Sequence, residues 1–381
     1  MSADPASDPI PLAQPDIGPR EEELVLEVLR SGWLSLGPMG ERFEREFAAW
    51  LGVEDAVMVS SGTTALHLGV RMLGWGEGDE VVTSPFSFVA SANCLLYEGA
   101  KPVFVDVEEE TLDLDPAAAA DAIGEGTVGL LPVHIFGFPA AMRELGALAQ
   151  RHGLGILEDA CEALGAVDSE GRKVGARGNL ATFAFYANKQ MTTGEGGMIV
   201  PRDAEEAARL RSERNQGRAV DMGWLDHDRL GFNYRLTDLA AALGIAQVEK
   251  LDGLLERRAA VARMYEERLA AIEGLRTPIP GRGSEARSWF VYTVRLPQGS
   301  NRDATIGRLG ERGVASKAYL PCIHLFPHLR ALGYREGQFP VAEAASADSL
   351  ALPFFPAMSE AQVDRVCQEL AAALGQAPLP A

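Results

Sequence analysis

Residues 181–200 read ATFAFYANKQMTTGEGGMIV, an aromatic and apolar run, then Lys189, then a glycine-rich return into a second apolar run. The runs at 181–185 and 198–200 are typical of strands. A lysine between them lies in sheltered surroundings, and burial lowers the pKa of an ammonium group, which supplies the neutral amine that imine formation needs. The chain has only five lysines against thirty arginines. Lys317, after a short predicted strand, is the one serious competitor for such a role.

Strand-like and helix-like segments alternate on the N-terminal side of this stretch. The predicted helices cover residues 19–30, 41–51, 64–73, 87–97, 116–123 and 140–152. The predicted strands cover residues 56–59, 80–83, 102–105, 129–133 and 155–157, followed by 181–185 and 198–200. This alternation predicts an α/β fold with a mostly parallel sheet covered by helices on both faces. Such sheets bind ligands at the carboxyl ends of their strands.

The chain beyond residue 200 predicts a second, smaller unit. Residues 236–272 form one long helical pattern, and residues 278–284 are rich in Gly, Pro and Arg. A smaller α/β unit follows, with strands at 289–294 and near 314–316, a helix from Arg302 and a closing helix over 359–374. We therefore expect a partly disordered N-terminal arm (1–17), a large domain (18–250) and a small C-terminal domain (251–381).

The amino-acid composition argues against some classes of partner and indicates the cellular compartment. The net charge of −19 argues against nucleic acid and anionic membrane surfaces. No apolar run is long enough for a membrane span, and the Pro-rich N-terminus lacks the features of a secretory signal. The four cysteines are scattered, without metal-ligand spacing, as expected of reduced thiols in a cytoplasmic protein. We expect no metal site.

Three further segments place polar or aromatic residues at predicted strand ends. The Ser-Ser-Gly-Thr-Thr turn at 60–64 opens a helix, whose free N–H groups bind anions; the alternative is plain N-capping by Ser or Thr, which is very common. Phe86 and Phe88 follow another strand and either stack on a flat ring or pack in the core. Glu158 and Asp159 end a buried strand, where a carboxylate needs a cation or hydrogen-bond donors; the alternative is helix capping by Asp159.

Taken together, these residues resemble a known family. The stretches SGTTAL, PFSFVASAN, AKPVFVDVEEETLDLDP, LEDACEALGA, FAFYANKQMTTGEGGMIV and HDRLGFNYRLTDLAAALGIAQVEKLD look like the DegT/DnrJ/StrS family. These are sugar aminotransferases that depend on pyridoxal 5′-phosphate (PLP). The resemblance runs from about Pro19 to the C-terminal helix. It implies the aspartate-aminotransferase-like architecture, PLP fold type I.

The resemblance also implies roles for matching residues. Lys189 would form the Schiff base with the cofactor and later move a proton at the substrate carbon. Asp159 would pair with the pyridine nitrogen, and Phe88 would stack on the ring. Gly62 and Thr63 would bind the phosphate.

Asn233, in GFNYR, would reach the cofactor phosphate of the other subunit, so that the active sites lie at a homodimer interface. Two positions depart from the family pattern. Ala184 stands where the family commonly has a serine that binds phosphate. Glu162 stands where a glutamine commonly lies near the phenolic oxygen of the cofactor; we keep it as a cofactor-site residue of open role.

The implied reaction is transamination. An amino donor, expected to be L-glutamate, would convert PLP to pyridoxamine phosphate, which would aminate a nucleotide-linked keto-deoxysugar, at C4 rather than C3. Some family branches carry His in place of the lysine and dehydrate keto sugars; the presence of Lys189 favours transamination. A keto-sugar dehydratase and a non-catalytic PLP-binding regulator remain alternatives.

Four residues are candidates for substrate contact. His324 lies in a segment that resembles a recurrent substrate-side segment of the family, although a capping or core histidine is as plausible. Lys317, Arg218 and His227 supply positive charge that a sugar diphosphate needs in an acidic protein.

Overall fold

The computed structural model of the chain describes residues 8–219 and 226–379. Its helices are α1 (Pro19–Ser31), α2 (Pro38–Leu51), α3 (Gly62–Leu73), α4 (Ala90–Tyr97), α5 (Pro116–Asp121), α6 (Met142–His152), α7 (Ala204–Arg214), α8 (Asp238–Glu249), α9 (Leu251–Leu269), α10 (Arg302–Glu311), α11 (Pro327–Arg330), α12 (Pro340–Asp348) and α13 (Glu360–Ala373). Short 3₁₀ turns lie at Ile135–Gly137 and Ile323–Leu325. Within the described ranges, no helix combines the length and apolarity that crossing a bilayer requires.

The strands form one large sheet and two small ones. They are β1 (Val57–Val59), β2 (Glu80–Thr83), β3 (Lys101–Phe104), β4 (Thr127–Leu131), β5 (Gly155–Asp159), β6 (Leu180–Ala184), β7 (Gly197–Val200), β8 (Gly281–Arg282), β9 (Glu285–Ala286), β10 (Tyr292–Arg295), β11 (Lys317–Ala318) and β12 (Ser349–Leu352). The large sheet has the order β1-β7-β6-β5-β4-β2-β3, and only β7 runs antiparallel to its neighbours. The expected mostly parallel sheet is confirmed.

Apolar side chains bury both faces of the large sheet, as a parallel sheet requires. On one face, Phe183 packs edge to face against Phe47, with ring centroids 5.3 Å apart. On the other face, α3 lies so close that a Cβ on Gly69 would stand 2.6 Å from a methyl carbon of Leu157. This packing fixes the strands, so residues just past their carboxyl ends share one well-positioned edge.

The small unit is a three-stranded antiparallel sheet, β10-β12-β11, covered by α9, α10 and α13. Its central strand, β12, was missing from the sequence-based expectation. The apolar run SLAL follows an alanine-rich helix directly, and periodicity does not separate so short a strand from a helix. Ile10 pairs with Val314 of this unit and is 2% exposed, so part of the N-terminal arm is packed. Residues 1–7 of the arm, where disorder was also expected, lie outside the described residues.

The long helix expected over 236–272 is two helices. α8 and α9 meet at Lys250, whose φ of −112° and ψ of 9° are not helical. Lys250 Nζ binds Asp16 Oδ1 at 2.7 Å and Glu21 Oε1 at 2.8 Å, which ties the helix junction to the N-terminal arm and α1. The domain division near residue 250 stays a prediction.

Candidate active site

A cavity of about 460 Å³ opens at the carboxyl ends of β1, β5 and β6. This size falls within the roughly 300–1,000 Å³ range of small-molecule sites. The cavity is lined by Ser61, Gly62, Thr63, Leu66, Ser87, Phe88, Ala90, Val133, Asp159, Cys161, Glu162, Ala184, Tyr186, Asn188, Lys189, Glu195, Gly196, Tyr319 and Leu320. The structure therefore brings together seven sequence-predicted positions: Gly62, Thr63, Phe88, Asp159, Glu162, Ala184 and Lys189.

Lys189 lies in the turn that follows β6. Its backbone N–H donates to the Tyr186 carbonyl at 3.0 Å, which holds the turn. Its Nζ lies 3.4 Å from Glu162 Oε1 and 4.0 Å from the centre of the Phe290 ring. The side chain is 13% exposed. The amine is thus held inside the cavity wall and not in bulk solvent.

Asp159 is the last residue of β5 and is 5% exposed. Its Oδ2 accepts a hydrogen bond from Ser91 Oγ at 2.7 Å, and its Oδ1 accepts from the Cys161 N–H at 3.1 Å. No lysine, arginine or histidine of the described ranges forms an ion pair with it. A buried carboxylate without a protein cation suits a ligand that brings its own positive charge.

Glu158, the neighbour of Asp159, points to the opposite face of the sheet, as strand alternation requires. It is fully buried and accepts hydrogen bonds from His134 Nε2 at 3.3 Å, Asn179 Nδ2 at 2.7 Å and the Gly175 N–H at 3.2 Å. Burial alone raises the pKa of Glu158, but the hydrogen bonds from His134, Asn179 and Gly175 outweigh it and lower that pKa below its ordinary value. His134 and Glu158 brace the sheet outside the cavity lining.

An anion cradle lies at the N-terminus of α3. Ser61 Oγ accepts from the Thr64 N–H at 3.1 Å, and Thr64 Oγ1 accepts from the Ser61 N–H at 3.0 Å. This capping box leaves the N–H groups of Gly62 and Thr63 without partners among the described residues, next to the cavity. A Cβ on Gly62 would stand 2.6 Å from Ala184 Cβ, so only glycine permits this approach. Helix capping and anion binding are therefore compatible here.

Phe86 and Phe88 have different environments. Phe86 is fully buried and packs edge to face with Phe136, with ring centroids 5.7 Å apart, so it is a core residue. Phe88 is 60% exposed and lies on the cavity wall. Glu162, also on the wall, is 5% exposed and its Oε2 accepts from the Phe136 N–H at 3.0 Å. Burial raises the pKa of Glu162, although the nearby Lys189 partly offsets this rise.

The other predicted contacts lie outside the cavity lining. Asn233 is exposed, in a segment paired with Asn215. Lys317 is exposed on β11, and Arg218 and His227 pair with each other through their backbones. His324 is fully buried; its Nε2 lies 3.2 Å from Glu343 Oε1, and burial lowers its pKa. Its ring packs against Phe339, and its predicted contact with the substrate stays a prediction.

Sequence reasoning missed several residues that line or support the cavity. Ser91, the partner of Asp159, lies one helical turn after Phe88, a spacing that could have indicated it. Asn188 precedes Lys189, and its Oδ1 is buried without a hydrogen-bond partner. Tyr319 comes from the small unit, and no local sequence signal connects it to the site. Burial raises the pKa of its hydroxyl.

Comparison with known proteins agrees with this geometry. Residues 15–371 match the profile of the DegT/DnrJ/EryC1/StrS aminotransferase family. The chain belongs to this family. It is similar to the GDP-perosamine synthase of Caulobacter vibrioides, with 38% identity covering 95% of this chain and 97% of that relative. It is also similar to the pleiotropic regulatory protein of Geobacillus stearothermophilus, with 36% identity covering 91% and 92% of the two chains.

Solved structures share this architecture over nearly the whole chain. The crystal structure of S. venezuelae DesV in complex with a ketimine intermediate has a TM-score of 0.91 and 35% identity, covering 97% of this chain and all of DesV. The predicted family, the PLP fold type I and the aminotransferase class are confirmed. The protein is an aminotransferase whose cofactor is PLP, with pyridoxamine phosphate as its alternate form.

The cavity residues fit this cofactor. The free N–H groups of Gly62 and Thr63 are suited to bind the phosphate by hydrogen bonds. The Asp159 carboxylate, which forms no ion pair with a described residue, is suited to bind a protonated ring nitrogen. Within the described ranges, no cluster of three or more His, Cys, Asp or Glu side chains could hold a metal ion.

Proposed function

We propose that the protein transfers an amino group from L-glutamate to the keto group of a nucleotide-linked keto-deoxysugar, at C4 in preference to C3. The observation that carries the proposal is the position of Lys189. Its amine lies in a cavity that is also lined by Asp159, a carboxylate without an ion-pair partner among the described residues. The free backbone N–H groups of Gly62 and Thr63 lie in the same cavity wall.

Each of these residues has a defined task in the proposed reaction. PLP, when bound, supplies an electron sink that stabilises negative charge at the carbon that loses a proton. The amides of Gly62 and Thr63 bind the phosphate, and Phe88 covers one ring face. Asp159 keeps the ring nitrogen protonated. Lys189 Nζ holds the cofactor and then carries the proton between the reacting carbons.

Two observations support a nucleotide-linked sugar as the amino acceptor: the name of a relative and the net charge of the chain. The Caulobacter relative is named for a GDP-linked sugar product. In a chain of net charge −19, a dianionic nucleotide sugar needs local cations. Lys317, Arg218 and His227 remain the proposed contacts. None of the three lines the cavity of one chain, which is compatible with a binding site completed by a second subunit.

We further propose a homodimer in which Asn233 of one subunit contacts the cofactor phosphate of the other. The segment between α1 and α2 exposes three large apolar side chains within four positions, Trp33 at 62%, Leu34 at 48% and Leu36 at 47%. Ser35 in this segment pairs with Thr237, close to Asn233 in the chain. An exposed apolar patch of this kind is typical of an interface.

The decisive experiment incubates the pyridoxamine form of the protein with a panel of keto-sugar nucleotides and weighs the products. We expect a mass change of ketone to amine with a 4-keto substrate and a smaller yield with a 3-keto substrate. No amination of any keto sugar, from protein that still accepts an amino group from L-glutamate, would exclude the proposed acceptor class.

A non-catalytic regulator is the alternative that a specific observation favours, since the Geobacillus relative is named a pleiotropic regulatory protein. The intact pair of Lys189 and Asp159 in the cavity favours catalysis. A regulator that binds PLP would keep its visible absorbance on addition of L-glutamate, whereas the proposed aminotransferase loses it. A dehydratase would release water from the keto sugar without gain of nitrogen.

A further inference from the structure

A second cavity, here named the outer cavity, is lined by residues of both the large sheet domain and the small unit. Its volume is about 520 Å³, similar to that of the active-site cavity, and the two cavities share no lining residue. The connection from β3 to α5 lines one part of it, and β10 and β12 line another. Among the residues that define it are Leu112, Phe136, Arg287, Arg295 and Ser349.

One face of the small sheet supplies three polar side chains to the outer cavity. Arg295 of β10 stands opposite Ser349 of β12, and Thr293 lies two residues before Arg295, so all three share a face. Ser349 is fully buried, and its Oγ has no hydrogen-bond partner. A buried hydroxyl without a partner destabilises the fold, so a ligand that hydrogen-bonds to Ser349 would remove this cost.

Two sheltered guanidinium groups of the lining each retain one nitrogen without a partner among the described residues. Arg295 binds Asp348 through Nε at 2.6 Å and Nη2 at 2.9 Å, which leaves Nη1. Arg287 donates from Nε to the Ile279 carbonyl and from Nη1 to the Phe136 carbonyl, both at 2.8 Å, which leaves Nη2. These bonds fix the cavity wall, and the remaining nitrogens are donors for a ligand.

The charges of the lining favour an anion in the sheltered part of the outer cavity. The carboxylates of the lining, Glu109 and Glu110, are both exposed, and Glu109 pairs with Arg276 at 3.0 Å. Arg287 forms no ion pair within the described ranges. Asp113 attracts Arg287 from beyond ion-pair distance, and burial raises the pKa of Asp113, which weakens that attraction. The sheltered side chains therefore offer cations and hydroxyl groups but no carboxylate.

Two residues of the outer cavity have a left-handed backbone. Leu112 has a φ of 64° and Phe136 a φ of 52°, a conformation that is costly for large side chains. Such backbone conformations occur preferentially at functional sites. The N–H of Phe136 also donates to Glu162 Oε2 in the wall of the active-site cavity, so Phe136 lies between the two cavities.

We propose that the outer cavity is a second ligand site, which binds a small phosphate ester. A phosphate group is anionic and accepts several hydrogen bonds, which matches the free nitrogens of Arg287 and Arg295 and the hydroxyls of Thr293 and Ser349. The rest of the lining is largely apolar and leaves room for a sugar or a nucleoside, since the volume falls within the range of small-molecule sites. This site is separate from the proposed catalytic function and does not depend on it.

The test is calorimetric titration of the PLP-loaded protein with glucose 1-phosphate and, separately, with UMP, which distinguishes a sugar phosphate from a nucleotide. The cofactor then occupies the phosphate cradle at Gly62 and Thr63. Ser349→Ala and Thr293→Val each remove one hydroxyl and should raise the Kd about tenfold. Thr293→Ser keeps the hydroxyl and should bind like the wild type.

Ser316→Ala is the matched control, because Ser316 Oγ is also buried without a partner but lines neither cavity. Its Kd should equal that of the wild type. Thermal unfolding without ligand should show that Ser349→Ala is as stable as the wild type, since no hydrogen bond is lost.

Three results would overturn the proposal. The first is that neither ligand binds at millimolar concentration. The second is binding that Ser349→Ala and Thr293→Val leave unchanged, which would place the ligand outside the outer cavity. The third is an equal loss of affinity in Ser316→Ala, which would show a general effect on the small unit.

Discussion

Glu162 and Lys189 face each other inside the cavity, with 3.4 Å between Oε1 and Nζ, and the carboxyl group is the more deeply buried of the two. Two opposing effects act on the pKa of Glu162. The nearby Lys189 favours its charged carboxylate, whereas burial favours its protonated carboxyl. The raised pKa of Glu162 indicates that burial dominates.

Glu162→Gln should therefore stabilise the apoenzyme at neutral and alkaline pH. A carboxyl whose pKa is higher in the folded than in the unfolded state costs stability as the pH rises past its unfolded value, about 4.3. Thermal unfolding at pH 8 should give a gain of the order of 1 kcal/mol, which disappears near pH 4.

Glu158→Gln is the matched control with the opposite sign. The pKa of Glu158 is lowered, so its charged form adds stability above the unfolded pKa, and the variant should lose about 1–3 kcal/mol at neutral pH. A Glu162→Gln variant that melts below the wild type at pH 8 would show that Glu162 is ionised and stabilised by Lys189.

Lys189→Ala should abolish covalent attachment of the cofactor and lower kcat by at least about 10³-fold, because both the imine and the proton carrier are lost. Borohydride treatment should leave no cofactor on the protein. Lys317→Ala is the control and should retain attachment. Label appearing on Lys317 in the Lys189→Ala variant would show that the amine was assigned to the wrong lysine.

The site residues that follow strands of the large sheet could be predicted from the sequence. Those that the small unit brings to the cavity could not. Lys189 and Asp159 are chemically distinctive residues just after buried strands, and the carboxyl ends of parallel strands meet at one edge. Phe290 lies against the Lys189 amine and Tyr319 lines the cavity, although they follow Lys189 by 101 and 130 positions in the chain, so their proximity depends on how the small unit packs against the large sheet. No spacing in the sequence encodes that.

Helix boundaries likewise depend on contacts between residues that are distant in the sequence. The 236–272 pattern contains no proline, yet the helix breaks at Lys250, which forms ion pairs with Asp16 and Glu21, far away in the sequence. Exposure of Phe88 and burial of Phe86, two residues apart, likewise follow from tertiary packing.

Asp159→Asn should reduce kcat/KM by about 10²-fold or more, because a neutral amide no longer stabilises a protonated ring nitrogen. Ser91→Ala removes a single hydrogen bond to the same carboxylate, 2.7 Å long, and should cost about tenfold. Asp115→Asn, at the N-cap of α5, is a control that should leave kcat/KM unchanged. Equal effects of Asp159→Asn and Ser91→Ala would indicate that Asp159 acts only through local structure.

Ala184→Ser should strengthen cofactor binding. Ala184 lies on the cavity wall beside Gly62, and a hydroxyl there would add one hydrogen bond to the phosphate. A hydrogen bond to a charged group is worth about 1.5–3 kcal/mol, so the Kd for PLP should fall about tenfold. Fluorescence titration of the apoenzyme with PLP measures this Kd. Ala184→Cys, with similar volume and a weak donor, should bind PLP like the wild type; an equal gain in that variant would point to packing.

The proposed contribution of Asn233 to the neighbouring subunit predicts complementation between two inactive variants. Asn233→Asp places a carboxylate against the phosphate and should weaken cofactor binding, and Lys189→Ala lacks the amine. Unfolding the two together and refolding them should restore about a quarter of the wild-type activity, because half of the dimers are mixed and each mixed dimer has one intact site. Each variant refolded alone should stay inactive. No recovery from a mixture shown by mass to contain mixed dimers would place Asn233 and Lys189 in the same site of one chain, and the shared-site proposal would fail.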